Sequence, residues 1–171
     1  MDQKPFPIVL FDWGDTVLYD DNPTSTVPMV EWPKIRAVEG IADVLADLQA
    51  SGRRSVIATG ALISDESQIR GALARVELDA YFSHIYCFQN TRLPKGEAYY
   101  RHILADLGVP ASDVVMVGDF FEKDVLAANA AGIFGVWFNQ RTDENRNNEL
   151  YTTVHSMFDL RTFFRMFGTN G

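Results

Sequence analysis

The chain has 171 residues, with 47% apolar and 22% charged side chains and a formal net charge of −8. These values suit a globular core and argue against nucleic acid or an anionic membrane as the main partner, since both demand clustered Lys and Arg. No apolar run approaches the roughly 20 residues of a membrane helix, and the start, MDQKPFP, lacks the basic flank and apolar segment of a secretory signal. A cytoplasmic protein with one domain over 1–171 is the expectation.

The first element in chain order is the apolar run IVLF at 8–11, which ends abruptly on Asp12 and turns through Trp13, Gly14 and Asp15. Residues 19–34 then show no periodicity and are rich in Pro, Asp and Thr, so a short flap is expected at about 17–36. Ile41, Val44, Leu45 and Leu48 recur with helical spacing before Gly52. A strand SVIA at 55–58 follows, then a second helical repeat on Ile69, Ala72, Leu73 and Val76. HIYCF at 84–88 reads as a strand, which would bury the sole cysteine, Cys87, and without a partner Cys87 forms no internal disulfide. Tyr100, Ile103, Leu104 and Leu107 mark a third helix, ended by Gly108 and Pro110. VVMV at 114–117 and IFGVWF at 133–138 are further strands, YTTVHS at 151–156 an edge strand, and 159–167 a closing helix whose Phe163, Phe164, Met166 and Phe167 are expected in the core.

Continuous apolar strands alternating with amphipathic helices require a sheet buried on both faces. The predicted fold class is therefore α/β, a doubly wound, mainly parallel sheet covered by helices on both faces, with no large cap domain.

In such sheets the ligand crevice lies at the carboxyl ends of the strands. There the sequence places Asp12 after the first strand, Thr59 and Gly60 after the second, Lys95 before the third helix, and Asp119 and Asp124 after the fourth strand. Carboxylates, a hydroxyl and an ammonium group converging on one edge make sense for phosphoryl transfer. An aspartate can attack phosphorus, a divalent cation with oxygen ligands can offset the repulsion between the two anions, and Thr, backbone amides and Lys can hold the equatorial oxygens.

These residues carry a resemblance. FDWGDT at 11–16, VIATG at 56–60, Lys95 in LPKGEAYY and VMVGDFFEKD at 115–124 resemble, in order, the four motifs of the haloacid dehalogenase superfamily. The resemblance implies a Rossmann-like core and a phosphatase-like hydrolase that uses Mg2+. Asp12 would be nucleophile and metal ligand; Thr59, Gly60 and Lys95 would bind and orient phosphate. Gly14 would offer the metal its backbone carbonyl, Asp119 would be a ligand, and Asp124 would support the metal site.

The sequence departs from the family at Gly14, where its phosphatases usually carry an aspartate that protonates the leaving group. Extended-chain alternation places Asp15 on the opposite side from residues 12 and 14, which leaves Asp15 open as either an alternative acid or a turn residue. General acid assistance is commonly worth about 10²–10⁴-fold, so substrates with good leaving groups would suffer least. Relatives that cleave carbon–halogen or carbon–phosphorus bonds also lack this aspartate, so altered bond specificity stays open beside weakened hydrolysis.

The leading expectation is a magnesium-dependent hydrolase of a phosphorylated metabolite or macromolecule. A phosphate-binding or regulatory module without turnover is the alternative, and a receiver-type signalling domain fits less well because Asp12 ends the first strand. The open crevice gives a reason for a homo-oligomer in which a neighbour closes it. Phe120 and Phe121 are read as an apolar substrate wall or as packing against the flap, with packing favoured, and Trp13 and Trp32 as a gate or as buried contacts. His84, His102 and His155 fit no triad and receive no chemistry.

Overall fold

The computed structural model describes residues 5–167. Six strands form one parallel sheet in the order β3-β2-β1-β4-β5-β6: β1 Ile8–Phe11, β2 Arg54–Ala58, β3 Phe82–Tyr86, β4 Val114–Gly118, β5 Phe134–Phe138 and β6 Tyr151–Val154. The helices between them are α1 Ile41–Ala50, α2 Glu66–Ala74, the short α3 Phe88–Thr91, α4 Glu97–Leu107, α5 Ala127–Ala130 and α6 Met157–Met166.

The period-2 alternation of each strand sorts its side chains onto two cores. Val9, Phe11, Ile57 and Val117 face one way and pack with Val44, Leu48, Leu73 and Leu160 of α1, α2 and α6. Ile8, Leu10, Val56 and Met116 face the other and meet Tyr99, Tyr100 and Ile103 of α4. The expected class and both helical layers are as read from the sequence, and no large cap stands over the sheet among the described residues.

Several local expectations are corrected. The third strand begins and ends earlier than 84–88: the Cys87 amide donates to Asn90 Oδ1 at 2.9 Å, which turns the chain into α3. Cys87 is therefore buried just past the strand, at the start of a helix. Helix α6 starts at Met157, where the Ser156 side chain accepts from the Asp159 amide. Its Phe164 is buried, but Met166 is 72% exposed, because the apolar positions wrap beyond the stripe that faces the sheet. Phe121 packs away from the flap, with its ring centroid 5.3 Å from that of Trp137 and 5.1 Å from that of Tyr151.

The aperiodic segment is an ordered excursion with a closed neck. The Tyr19 amide donates to Arg36 O and the Val38 amide to Val17 O, each at 2.9 Å. Farther out, a 3₁₀ turn at Met29–Glu31 rests on α2, and the Arg75 guanidinium donates to the carbonyls of Val30, Trp32 and Pro33. Backbone that lacks sheet or helix partners is thus satisfied in part by the neck and by one long side chain.

Candidate active site

Strands β1 and β4 run side by side, with Phe11 opposite Val117, so the residues that follow them leave the sheet as neighbours. The Asp12 amide still donates to Val117 O at 2.9 Å, which fixes the nucleophile candidate at the end of the ladder. Carboxylate oxygens of Asp12, Asp119 and Asp124 lie within 4.8 Å of one another. Lys95 reaches in from the start of α4, and its Nζ stands 2.8 Å from Asp12 Oδ1 and 2.5 Å from Asp124 Oδ1.

Asp124 owes its position to an unusual turn. After β4 the chain enters a π-helical stretch, Phe121–Leu126, before α5. This brings the Asp124 carboxylate back beneath the strand end, where Oδ2 accepts from the Phe120 amide at 2.9 Å. A Cβ on Gly118 would lie 2.2 Å from that same Oδ2, so glycine is required here by the space the carboxylate fills. Irregular helical turns of this kind recur at functional sites.

Three carboxylates and one ammonium leave an excess of negative charge in a half-buried space, and the ionisation of Asp119, Asp124 and Lys95 reflects it. Burial and the charge of Asp12 push the Asp119 carboxyl up to about 8. Burial and Asp12 raise Asp124 to about 6, with Lys95 working the other way. Burial opposes the charge on Lys95, yet the carboxylates of Asp12 and Asp124 outweigh it and hold the ammonium well above the ordinary lysine range. A donor set of hard oxygens with unbalanced negative charge fits a divalent cation such as Mg2+.

The remaining sequence-predicted residues surround these groups. Thr59 and Gly60 line the same cavity, which has a volume of about 470 Å³. Thr59 is buried, its amide donates to Tyr86 O at 3.0 Å, and its carbonyl accepts from the Tyr99 hydroxyl at 3.1 Å. Gly14 lines the cavity too, as does Asp15. Asp15 holds a left-handed backbone (φ 58°), which Asp tolerates better than most residues. Its Oδ1 accepts from the Asp20 amide at 2.9 Å and its Oδ2 pairs with Arg141 at 3.1 Å, so its carboxylate is tied into the turn.

Trp13 is buried in the core, whereas Trp32 is half-buried on the cavity wall, where its indole N–H donates to Val27 O at 3.0 Å. Phe120, 51% exposed, stands at the cavity mouth, an apolar wall in place of the favoured packing role. Sequence reasoning did not single out Asp20, which also lines the cavity from the flap. Its burial and the charge of Asp15 raise its carboxyl above the usual range, partly offset by the Asn22 amide. Asp20 sits in an aperiodic stretch beside Asp21, where the sequence gives no sign of which carboxylate turns inward.

A parallel sheet that gathers an aspartate after its first strand, a threonine after its second, a lysine from a helix start and two aspartates after its fourth defines a class of hydrolase. The chain belongs to the haloacid dehalogenase-like hydrolase family, whose model matches residues 26–138. The matched segment includes Thr59, Lys95, Asp119 and Asp124 and begins after Asp12. Over 92 residues the chain is 30% identical to Haloacid dehalogenase-like hydrolase domain-containing protein 3 of Danio rerio, covering 53% of this chain and 38% of that relative. It thus spans about two-fifths of the length of that curated protein.

Solved structures share the fold. An uncharacterized protein from Listeria monocytogenes serotype 4b superimposes with a TM-score of 0.80 at 22% identity, covering 94% of this chain and 97% of the other. A HAD phosphatase from Thermococcus onnurineus gives 0.73 at 19% identity, with 91% and 96% covered. A Bacillus subtilis structure described as a HAD-hydrolase bound to magnesium gives 0.73 at 14% identity, with 94% and 99% covered. Among the described residues no helix is long and apolar enough to cross a membrane.

Proposed function

We propose that this chain is a magnesium-dependent phosphohydrolase of phosphate monoesters or anhydrides that works through an aspartyl phosphate on Asp12. The observation that carries the reading is the convergence of Asp12, Asp119 and Asp124 within 4.8 Å, with Lys95 2.8 Å from Asp12. Asp12 and Asp119, with the Gly14 carbonyl, would hold Mg2+, and Asp124 would brace Lys95 and the metal site from beneath. The cation, when bound, supplies the charge that lets a carboxylate approach a phosphate and that offsets charge building on the phosphoryl oxygens.

The residues of the chain divide the remaining work. Lys95 holds one Asp12 oxygen and so leaves the other to attack phosphorus. Thr59 and the backbone around Gly60 face the same cavity, where they can hold the phosphoryl oxygens as the bond to the leaving group lengthens. Val27, Leu62, Ile63 and Phe120 are 43%, 62%, 49% and 51% exposed and all line this cavity. That apolar rim favours a substrate whose leaving group carries an apolar part, on a metabolite or a macromolecule.

Phosphate release from an aryl phosphate and an acyl phosphate, with and without magnesium, tests the reading against Asp12→Asn. Turnover that needs both magnesium and Asp12 supports it; no magnesium-dependent release across a broad phosphate panel sinks it. Gly14 supports a second reading, a phosphate-binding module without turnover. Calorimetric binding of a phosphorylated compound without product would favour that one.

A further inference from the structure

The hydrolase reading leaves one chemical task unassigned, protonation of the departing oxygen. Gly14 occupies the position from which the family's acid normally acts, and its backbone does not lie in the left-handed region that glycine favours. A Cβ built there would meet Asp20 Cβ at 3.6 Å and Asp20 Oδ2 at 3.8 Å, both ordinary contacts. The nearest neighbour of the missing side chain is thus another carboxyl group, brought in by the flap.

The five aspartates that line the cavity can be separated by their contacts. Asp12 is the nucleophile, and Asp119 and Asp124 belong to the cation and to Lys95. Asp15 is held through Oδ1 by the Asp20 amide and through Oδ2 by Arg141. Asp20 remains, and among the described residues no cation pairs with its carboxylate. The closed neck of the flap and the Asp15–Asp20 hydrogen bond fix its backbone beside Gly14.

We propose that Asp20 is the general acid and base of this site, acting from the flap in place of the side chain that Gly14 lacks, with Asp15 as its positioning residue. This rests on the phosphohydrolase reading above. As an Asp12 oxygen bonds to phosphorus, the bond from phosphorus to the leaving oxygen breaks. That oxygen keeps the electron pair and takes the proton of the Asp20 carboxyl, giving an alcohol and an Asp20 carboxylate. In the second half, the Asp20 carboxylate takes a proton from water as the water oxygen bonds to phosphorus. The bond to Asp12 then breaks with its electrons on the Asp12 carboxylate, and inorganic phosphate is released.

The test compares kcat/KM on 4-nitrophenyl phosphate, whose leaving group needs little protonation, with that on an alkyl phosphate, whose leaving group needs a proton. Asp20→Asn is nearly the same size and should fold as the native protein does. It should lower turnover of the alkyl phosphate by about 10²–10⁴-fold and that of 4-nitrophenyl phosphate by less than about tenfold. Adding Gly14→Asp to Asp20→Ala should recover at least tenfold on the alkyl substrate. Asp15→Asn should reproduce the same leaving-group bias more weakly.

Equal losses on both substrates, or no loss on either, would overturn the assignment while leaving the hydrolase standing. Failure of Gly14→Asp to restore the alkyl reaction would do the same. If the native protein releases no phosphate from either compound in an Asp12-dependent way, the hydrolase reading falls and this assignment falls with it.

Discussion

Replacing Lys95 by methionine removes the ammonium that separates two buried carboxylates while keeping most of the side-chain volume. Its Nζ lies 2.8 Å from Asp12 Oδ1 and 2.5 Å from Asp124 Oδ1, and the Lys95 side chain is only 5% exposed. At an effective dielectric constant of about 20, each of these contacts represents roughly 6–7 kcal/mol of Coulomb attraction. Much of that is offset by the cost of taking three charges out of water, and breaking a buried pair typically destabilises by about 3–5 kcal/mol.

That range is the expected loss for Lys95→Met in urea unfolding at pH 7.5 with a chelator present. Without the ammonium the carboxylates hold their protons more firmly when folded than when unfolded, so the variant's stability falls further as pH rises. The loss should therefore be smaller at pH 5.5 than at pH 7.5. Arg101→Met supplies the comparison, since Arg101 and Glu97 pair at 2.7 Å with both side chains more than half exposed, and it should cost less than about 1 kcal/mol. A Lys95→Met loss below about 1 kcal/mol at pH 7.5, or one no smaller at pH 5.5, would refute the reasoning.

Two further outcomes follow from the same geometry. Because the folded, metal-free protein retains a proton on Asp119 up to about pH 8, while the unfolded chain releases it near pH 4, stability of the metal-free protein should fall as pH rises between those values. Melting temperatures at pH 5 and pH 8 should show this slope flattened by Asp119→Asn and by added magnesium, and an unchanged slope in the variant would count against it. Gly118→Ala places a Cβ 2.2 Å from Asp124 Oδ2, so it should displace that carboxylate, destabilise by about 1–3 kcal/mol and reduce phosphate release. Gly14→Ala, with its nearest contact at 3.6 Å, should cost less than about 1 kcal/mol in the same unfolding assay.

The alternation of apolar strands with 3.6-period helices determined the parallel sheet, because a strand buried on both faces has few other ways to satisfy its side chains. The same periodicity put Asp12, Thr59, Lys95 and Asp119 at the carboxyl edge, since each lies within two residues of an element whose direction the pattern sets. Boundaries were less legible: Asn90 ends β3 early through a side-chain bond, and nothing in the apolar run HIYCF signals it. Phe121 and Met166 look alike as apolar letters, yet one is buried between Trp137 and Tyr151 and the other faces solvent.

Only the tertiary structure decided what the flap contributes. Asp20 and Gly14 are six positions apart in a stretch with no period, and their place on one cavity wall depends on the closed neck and on a left-handed residue at Asp15. Asp124 likewise reaches Lys95 only because a π-helical turn folds it under Gly118. Periodicity reports which face of an element is buried; it carries no information about how an aperiodic loop returns, which backbone hydrogen bonds and side-chain volume settle together.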